Sequence, residues 1–424
     1  MLKCLRVIFI SALILSAARN YLSAEEILGW QDCIKEAAKN HPDLIAAQEE
    51  IKQSEAQKKV TASGLYPQID SSLSASTARS AGNSGASTAD NYSYGLTGTQ
   101  LIFDGTKTIQ NVKAAAENIN ASKQNFRFTS ATVRFRLRSA FVSLLRVQEA
   151  LKITRDIYEI RRSNLELITL RYQSGLEHKG ALLTAEADLA QAQYDIDQAH
   201  RNVEVSQRNL IKEMGRTQFF PIEVKGEFLV KDAVKDRPDF ELLAKNNPSL
   251  QQLIAQKNSA EFSLRSAYAN FSPTLSGAAG ANKSGNHWSP NGDEWNLGLT
   301  LSMPIFEGGL RLAQVSQAQA LLNQLKANER STKDSVVSTL EQAWAAFQDA
   351  MENVEVQRKS LAATEERSKI SQAQYSIGFI SFDNWTIIED NLVQAKQRFL
   401  DSQATMLLAE ANWIQAKGET VEYE

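Results

Sequence analysis

Three landmarks of this chain recur at one separation: Phe103 and Phe306, Gly175 and Gly378, Gly215 and Gly418 each lie 203 residues apart. Two blocks of more than a hundred residues have therefore kept register without a net insertion, which marks an internal duplication. Each block opens on an apolar-to-turn signal, Leu101-Ile102-Phe103-Asp104-Gly105 in the first and Met303-Pro304-Ile305-Phe306-Glu307-Gly308 in the second. The first then runs for about 66 residues without proline or glycine, which as a helix would span roughly 100 Å. No globular core stabilises a helix that long, so it needs other long helices beside it.

The helical runs supply the seams for such packing. Leu137, Leu144, Leu151, Tyr158, Leu165 and Tyr172 recur every seven residues, with Ala140, Val147, Thr154 and Ile168 three positions behind. The return run repeats the spacing with Leu182, Leu189, Ile196, Val203 and Leu210, interleaved with Ala185, Ala192 and Ala199. Trp385, Leu392, Phe399, Met406 and Trp413 form the matching row of the second block. These are coiled-coil seams, and the alanines let backbones approach closely. Ile27–Ser63, broken at Asn40-His41-Pro42-Asp43-Leu44, and Gly180–Met214 predict short helices of about 55 Å and 52 Å, which end to end match the long one.

Between the helices the period changes to two. From Asp293 to Ile305, Trp295, Leu297, Leu299, Leu301, Met303 and Ile305 alternate with Asn296, Gly298, Thr300, Ser302 and Pro304. Ile69, Leu73 and Ala75, then Tyr92, Tyr94 and Leu96, then Leu275, Ala279 and Ala281 alternate in the same way. This predicts four strands of about 10–13 residues in two hairpins, closed by loops at Ser80–Asn91 and Lys283–Asp293. One face of each strand is apolar and the other small and polar. A soluble sandwich would pack the apolar faces together, and an outer-membrane barrel would turn them to lipid. Strand length favours the barrel, since a spanning strand needs about 9–11 residues. So do aromatics near the strand ends, Tyr66, Tyr92, Phe103, Phe271, Trp288 and Trp295, as in an interfacial girdle. Four strands cannot close a barrel, because the smallest have about eight. Open edges are not viable in lipid. A spanning sheet must therefore be shared between copies of the chain.

At the start, Met1–Arg6 is cationic, Val7 to Ala18 is apolar, and small residues follow. This is a secretory signal peptide over residues 1–24, with cleavage near Ala18 or Ala24. Cys4 leaves with it and Cys33 remains alone, so no intrachain disulfide is expected. The net charge of −3 argues against a nucleic-acid partner. The boundaries that follow are residues 25–215 for the first repeat, 216–245 for an equatorial linker, 246–418 for the second repeat and 419–424 for a tail. Within the first repeat, the hairpin takes about 66–103, the long helix about 106–173 and the return helix about 180–214. In the second they take about 272–306, 309–376 and 382–417.

The ordered set of motifs, present twice, resembles the TolC-type outer-membrane efflux protein family. It comprises Asn-x-Pro-x-Leu at Asn40–Leu44 and Asn246–Leu250, strand starts at Pro67 and Pro273, Leu-Ile-Phe-Asp-Gly and Pro-Ile-Phe-Glu-Gly-Gly, and the Tyr-x-x-Gly tips. The resemblance covers nearly the whole mature chain. It implies a mainly α fold with a β-barrel contribution: duplicated long α-helical hairpins forming a periplasmic tunnel, and four transmembrane strands per protomer in a trimeric twelve-stranded barrel. It implies a homotrimer in the outer membrane of a Gram-negative bacterium, with its helical part in the periplasm. Such a chain is an efflux or type I secretion duct, working with a periplasmic adaptor and an inner-membrane transporter of RND or ABC type.

The resemblance also implies site residues. Adaptor docking falls at the helical tips, Gly175, Leu176, Gly378, Phe379 and Ile380, where the glycines permit positive φ. Leu176, Phe379 and Ile380 are expected exposed, as apolar anchors. The family's constriction often uses an aspartate six residues past the tip glycine, but Ala181 and Asn384 stand there, with Asp383 adjacent and Tyr375 retained. Asp383 is read either as an acidic ring around a threefold axis or, with Ser381, as a helix N-cap, and the cap is preferred. Isoleucine 380 replaces the arginine found there in some members. No catalytic residues, cofactor or metal are expected, because His41, His178, His200 and His287 are scattered outside any ligand spacing. A structural periplasmic coiled-coil protein would not explain the alternating strands. An adaptor would show one hairpin within β-rich flanking domains.

Overall fold

A computed structural model describes residues 26–82, 85–229 and 236–421. The signal peptide expected over 1–24 lies outside them. Among the described residues the order is β1 (Glu26–Leu28), α1 (Trp30–Asn40), α2 (Pro42–Ser63), β2 (Gln68–Gly82), β3 (Gly85–Phe103), α3 (Lys107–Gln173) and α4 (Lys179–Met214). There follow β4 (Ile222–Val224), α5 (Phe240–Lys245), α6 (Pro248–Ala269), β5 (Thr274–Gly285), β6 (Gly292–Ser302), α7 (Leu310–Ser376) and α8 (Phe382–Lys417). The duplication is visible in the lengths: α3 and α7 each have 67 residues, and α4 and α8 each have 36.

The chain forms two compact units, one of residues up to 45 with 129–240 and 338 onward, the other of 46–128 and 241–337. In the first unit the heptad rows are core. Leu137, Leu144, Ile168, Leu210, Trp385, Leu392, Met406 and Trp413 are buried. Val142 of α3 meets Ala350 of α7 and Ala404, Met406 and Leu407 of α8 in one cluster. Trp344 and Trp413 pack edge to face at 5.3 Å, and Trp30 packs on Phe141 at 5.7 Å. Four arginines of α3 then reach toward the last helix and its end: Arg134 to Glu419 (3.2 Å), Arg138 to Glu410 (3.7 Å), Arg146 to Asp401 (2.8 Å) and Arg161 to Asp390 (2.5 Å). The Arg146–Asp401 pair is exposed and worth about 0–1 kcal/mol, whereas the Arg134 and Arg161 side chains are largely buried.

Two expectations fail here. The segment from Ile27 is not helical at its start. Glu26–Leu28 pairs in parallel with Ile222–Val224, and the helix begins only after Gly29, whose N–H donates to Asp32 Oδ2 at 3.0 Å. Arg216 fastens this junction by binding Glu26 (2.7 Å) and Glu36 (2.5 Å). Cys33 is buried and unpaired, and burial pushes its thiol up to about 12, with Asp32 and Glu36 adding to the rise.

The second unit holds the sheet, antiparallel in the order β2-β3-β5-β6. Of Ser80–Asn91, expected as a loop, the described residues 80–82 and 85–91 are instead strand: β2 and β3 pair without a break from Gln68↔Thr99 to Gly82↔Gly85. Small polar residues gave no alternation to read, yet they hold a ladder, with Thr77 Oγ1 donating to Asp90 at 2.8 Å and the Ser74 and Ser93 hydroxyls 2.9 Å apart. The helices of this unit are tied by small residues. Ala114, Ala115, Ala121, Ala255 and Ala260 are buried, and the Ser54 and Ser122 hydroxyls meet at 2.8 Å.

Gly175 and Gly215 separate the two demands a helix end makes. Both have positive φ, 72° and 78°. A Cβ at Gly175 meets nothing within 4 Å, whereas one at Gly215 falls 2.5 Å from the Asn40 carbonyl. Gly175→Ala is expected to cost about 1 kcal/mol of left-handed strain, and Gly215→Ala to cost more and lower the melting temperature further. Circular-dichroism melts check this, and equal melting temperatures would contradict it.

Candidate functional site

Two regions hold the residues singled out by sequence. The first is the pair of helical tips. At the end of α3 the Leu176 N–H donates to the Arg171 carbonyl (2.9 Å) and the Gly175 N–H to that of Tyr172 (3.0 Å). At the end of α7 the Phe379 N–H donates to Gln374 (2.8 Å) and the Gly378 N–H to Tyr375 (3.0 Å). Both are Schellman closures built on a left-handed glycine. Each return helix is capped by a side chain. His178 Nδ1 accepts from the Ala181 N–H at 3.1 Å, and Ser381 Oγ from that of Asn384 at 3.4 Å. Ser381 is thus the cap, and Asp383 lies in the first turn beyond it.

These closures leave Leu176, Ile377 and Phe379 outside, with Phe379 76% exposed. Ile380, expected as an exposed anchor, instead packs half-buried on the cluster of Ile168, Ala181, Ala185, Tyr375, Phe382 and Trp385. The chain direction after Gly378 turns Ile380 inward and Ile377 out. Asp383 and Asn384 are exposed, while Ala181 and Tyr375 are almost wholly buried.

That cluster joins the two hairpins. Tyr375 stacks on Trp385, centroids 4.5 Å apart and rings within 8° of parallel. Phe382 meets both rings edge-on or tilted at 6.3 Å. Ala181, 1% exposed, belongs to the same cluster. The Tyr375 hydroxyl donates to Glu177 Oε2 at 2.8 Å, and the Arg171 guanidinium lies 4.8 Å from the Tyr375 ring. Burial, with the Glu177 carboxylate beside it, holds the Tyr375 phenol above its usual range. One hydrogen bond therefore spans from the first tip to the second. Sequence reading missed Glu177 and Trp385 as partners of Tyr375, although Trp385 begins the heptad row of α8. Only the contact between repeats reveals the role.

A polar layer lies behind the aromatics. Arg161 sits between Asp390 at 2.5 Å and Asp188 at 3.8 Å, and buried Glu389 accepts from Ser368 Oγ at 2.6 Å. Burial lifts the Asp188 carboxyl above its ordinary 3.8, against the pull of Arg161 and with that of Asp390.

The second region is the sheet. Trp295, Leu297, Leu299 and Leu301 are 67–79% exposed, as are Ile69 and Leu73. The register puts these residues on one face: Leu73 opposes Tyr94, Leu301 opposes Leu275, and Leu297 opposes Ala279. Asp70, Ser72, Ser74, Asn296, Thr300 and Ser302 take the other. Of the expected girdle, Tyr66, Phe103, Phe271, Trp288 and Trp295 are exposed, and Tyr92 packs edge-on against Trp288 at 6.3 Å.

Comparison with known proteins supports one family. The model described as "Outer membrane efflux protein" matches residues 33–216 and 240–419, one match per repeat. Outer membrane protein TolC of Escherichia coli is 25% identical over 194 residues, 41% of this chain and 38% of that protein. The aligned part of the chain thus spans well under two thirds of that relative. Outer membrane efflux protein BepC of Brucella suis is 19% identical over 339 residues, 78% of this chain and 72% of that one. The solved CmeC outer membrane channel of Campylobacter jejuni superposes with a TM-score of 0.81 at 18% identity, covering 92% of this chain and 86% of that one. At that identity the likeness establishes the fold.

Asp188 makes the tips pH-sensitive in a defined direction. A carboxyl whose folded pKa is raised contributes favourably below its unfolded value, and loses that contribution as pH rises through the folded value. Asp188→Asn should therefore raise the melting temperature at pH 7 and leave it unchanged at pH 3. A lower melting temperature at pH 7 would mean that pairing with Arg161 outweighs the cost of burial.

Proposed function

We propose that this chain, which belongs to the outer membrane efflux protein family, is the outer-membrane channel-tunnel component of an efflux or type I secretion system. The observation that carries this reading is the sidedness of the four-stranded sheet. One face carries Trp295, Leu297, Leu299, Leu301, Ile69, Leu73 and Tyr94, all exposed, and serine, threonine, asparagine and glycine take the reverse. A sheet with lipid on one side and water on the other has this composition. Four strands do not close, so three copies pool twelve into one barrel in the outer membrane, and the helical hairpins make a tunnel. The chain acts as a passive duct, and its work is to hold a path open or shut.

The tips are the proposed contact with a periplasmic adaptor, which links the duct to an inner-membrane transporter of RND or ABC type. Leu176 and Phe379 are exposed apolar side chains on rigid Schellman turns, and such anchors lose little entropy on docking. Asp383 and Asn384, exposed in the first turn past the second tip, are the proposed constriction. The buried Tyr375–Trp385–Ala181 joint behind them holds the hairpins together when the tunnel is narrow.

The experiment is fractionation followed by conductance. The mature protein should be recovered with outer membranes, run as a trimer in mild detergent and conduct ions across a planar bilayer. A soluble periplasmic monomer would overturn the proposal. Leu176→Asp with Phe379→Asp should abolish adaptor cross-linking while leaving the trimer and its conductance intact.

A further inference from the structure

Where α1 and the stretch after β4 lie against α3, α7 and α8, the first unit encloses a cavity of about 990 Å³. Small-molecule sites run from about 300 to 1,000 Å³, so the space suits an organic ligand better than a lone ion. Its lining includes none of the residues singled out at the tips or in the sheet. The wall beyond β4 is set before any ligand arrives. Gln207 Nε2 donates to the Ile222 carbonyl at 2.8 Å, the Val224 N–H to Gln148 Oε1 at 3.2 Å, and the Lys225 N–H to the Leu28 carbonyl at 3.0 Å. Gly226 then passes so near the Phe141 ring that a Cβ would lie 3.2 Å from it.

The lining combines rings with positive charge. Phe135, Leu145, Leu407 and Ile414 give it apolar surface. The Arg138 guanidinium lies 4.8 Å from the Trp30 ring and 5.8 Å from that of Phe141, and Lys417 Nζ lies 5.6 Å from that of Trp413. Arg138 and the 225–226 stretch thus converge on one ring, Phe141, which brings Lys225 to the same end of the cavity as Arg138. Among the described lining residues, the cations Arg134, Arg138, Lys225 and Lys417 stand against the carboxylates Glu227, Glu410 and Glu419. Glu419 is shared between Arg134, at 3.2 Å, and Lys417, and Glu410 faces Arg138 at 3.7 Å. A surplus of positive charge beside largely buried side chains is poorly screened by water.

We propose that this cavity is a binding site for an organic anion, a rigid aromatic or alicyclic body carrying a carboxylate or sulfonate. The apolar body packs on Phe135, Leu145 and Ile414, and the acid group is met by Arg138 and Lys225. A charge-assisted contact of this kind is about twice as strong as a neutral one. A cationic ligand would instead compete with Arg138 and Lys417 for the ring faces they already cover. The walls come from both repeats, α1 and α3 from the first and α7 and α8 from the second. A bound anion therefore links the repeats and stabilises the folded chain.

The test titrates the full mature chain, held in lipid discs, into fluorescein, an aromatic carboxylate that is anionic at neutral pH, with protein-free discs as the blank. The dye's anisotropy should rise to saturation, and excess dye should raise the melting temperature. A cationic rhodamine methyl ester, which keeps the same rings, should bind about tenfold more weakly. Lys225→Glu, on the exposed rim, and separately Arg138→Gln should each weaken fluorescein binding about tenfold. Melts of the dye-free variants check that both fold, and if Arg138→Gln does not, Lys225→Glu alone decides. No saturable change with the native chain would overturn the site, and equal binding of the two dyes would overturn its preference for anions. Unchanged binding by a folded Lys225→Glu would put the dye elsewhere and overturn the assignment.

Discussion

An unpaired strand edge in hydrocarbon is the condition this fold is arranged to avoid. Each backbone N–H or C=O left bare in lipid costs several kcal/mol, and the sheet has two such edges, β2 and β6. Among the described residues the two edge strands themselves, β2 and β6, are exposed along their length. The sidedness of the sheet and the alanine-rich packing of its unit are accounted for when the edges meet edges of other copies. The cost of leaving them open is what makes assembly part of folding here.

The first unit solves a different problem. Its heptad rows are filled by large side chains, so it has a conventional core, and its specificity lies at the tips. There a stacked Tyr375–Trp385 pair and one hydrogen bond to Glu177 connect the hairpins. Asp188 and Asp390 crowd one arginine behind them. An aromatic stack is worth about 0.5–1.5 kcal/mol beyond its burial, and the Asp188 carboxylate works against it. The joint is therefore firm without being maximally stable, which suits an element whose proposed task is to part.

Much of this was legible in the sequence because both periods are strong. The heptads marked α3, α4 and α8, and the alternation of Trp295 to Leu301 gave the lipid-facing side of β6. The constant separation of 203 exposed the repeat. The failures share one cause, in that the deciding contact is distant. Nothing near Glu26 announces that it will pair with Ile222, and the serines and alanines of residues 76–82 and 85–91 become strand only because a matching ribbon lies beside them. Ile380 turned inward because the aromatic cluster offered it a seat. Glu177 and Tyr375, 198 positions apart, are brought together by the duplication and not by any local motif.

Amide hydrogen exchange on the protein in lipid tests the closed ring most directly. If copies pool their sheets, the amides of β2 and β6 should be protected as long as those of β3 and β5, because all four strands are then interior. Fast exchange along β2 and β6, with slow exchange in β3 and β5, would show the edges open and contradict the account.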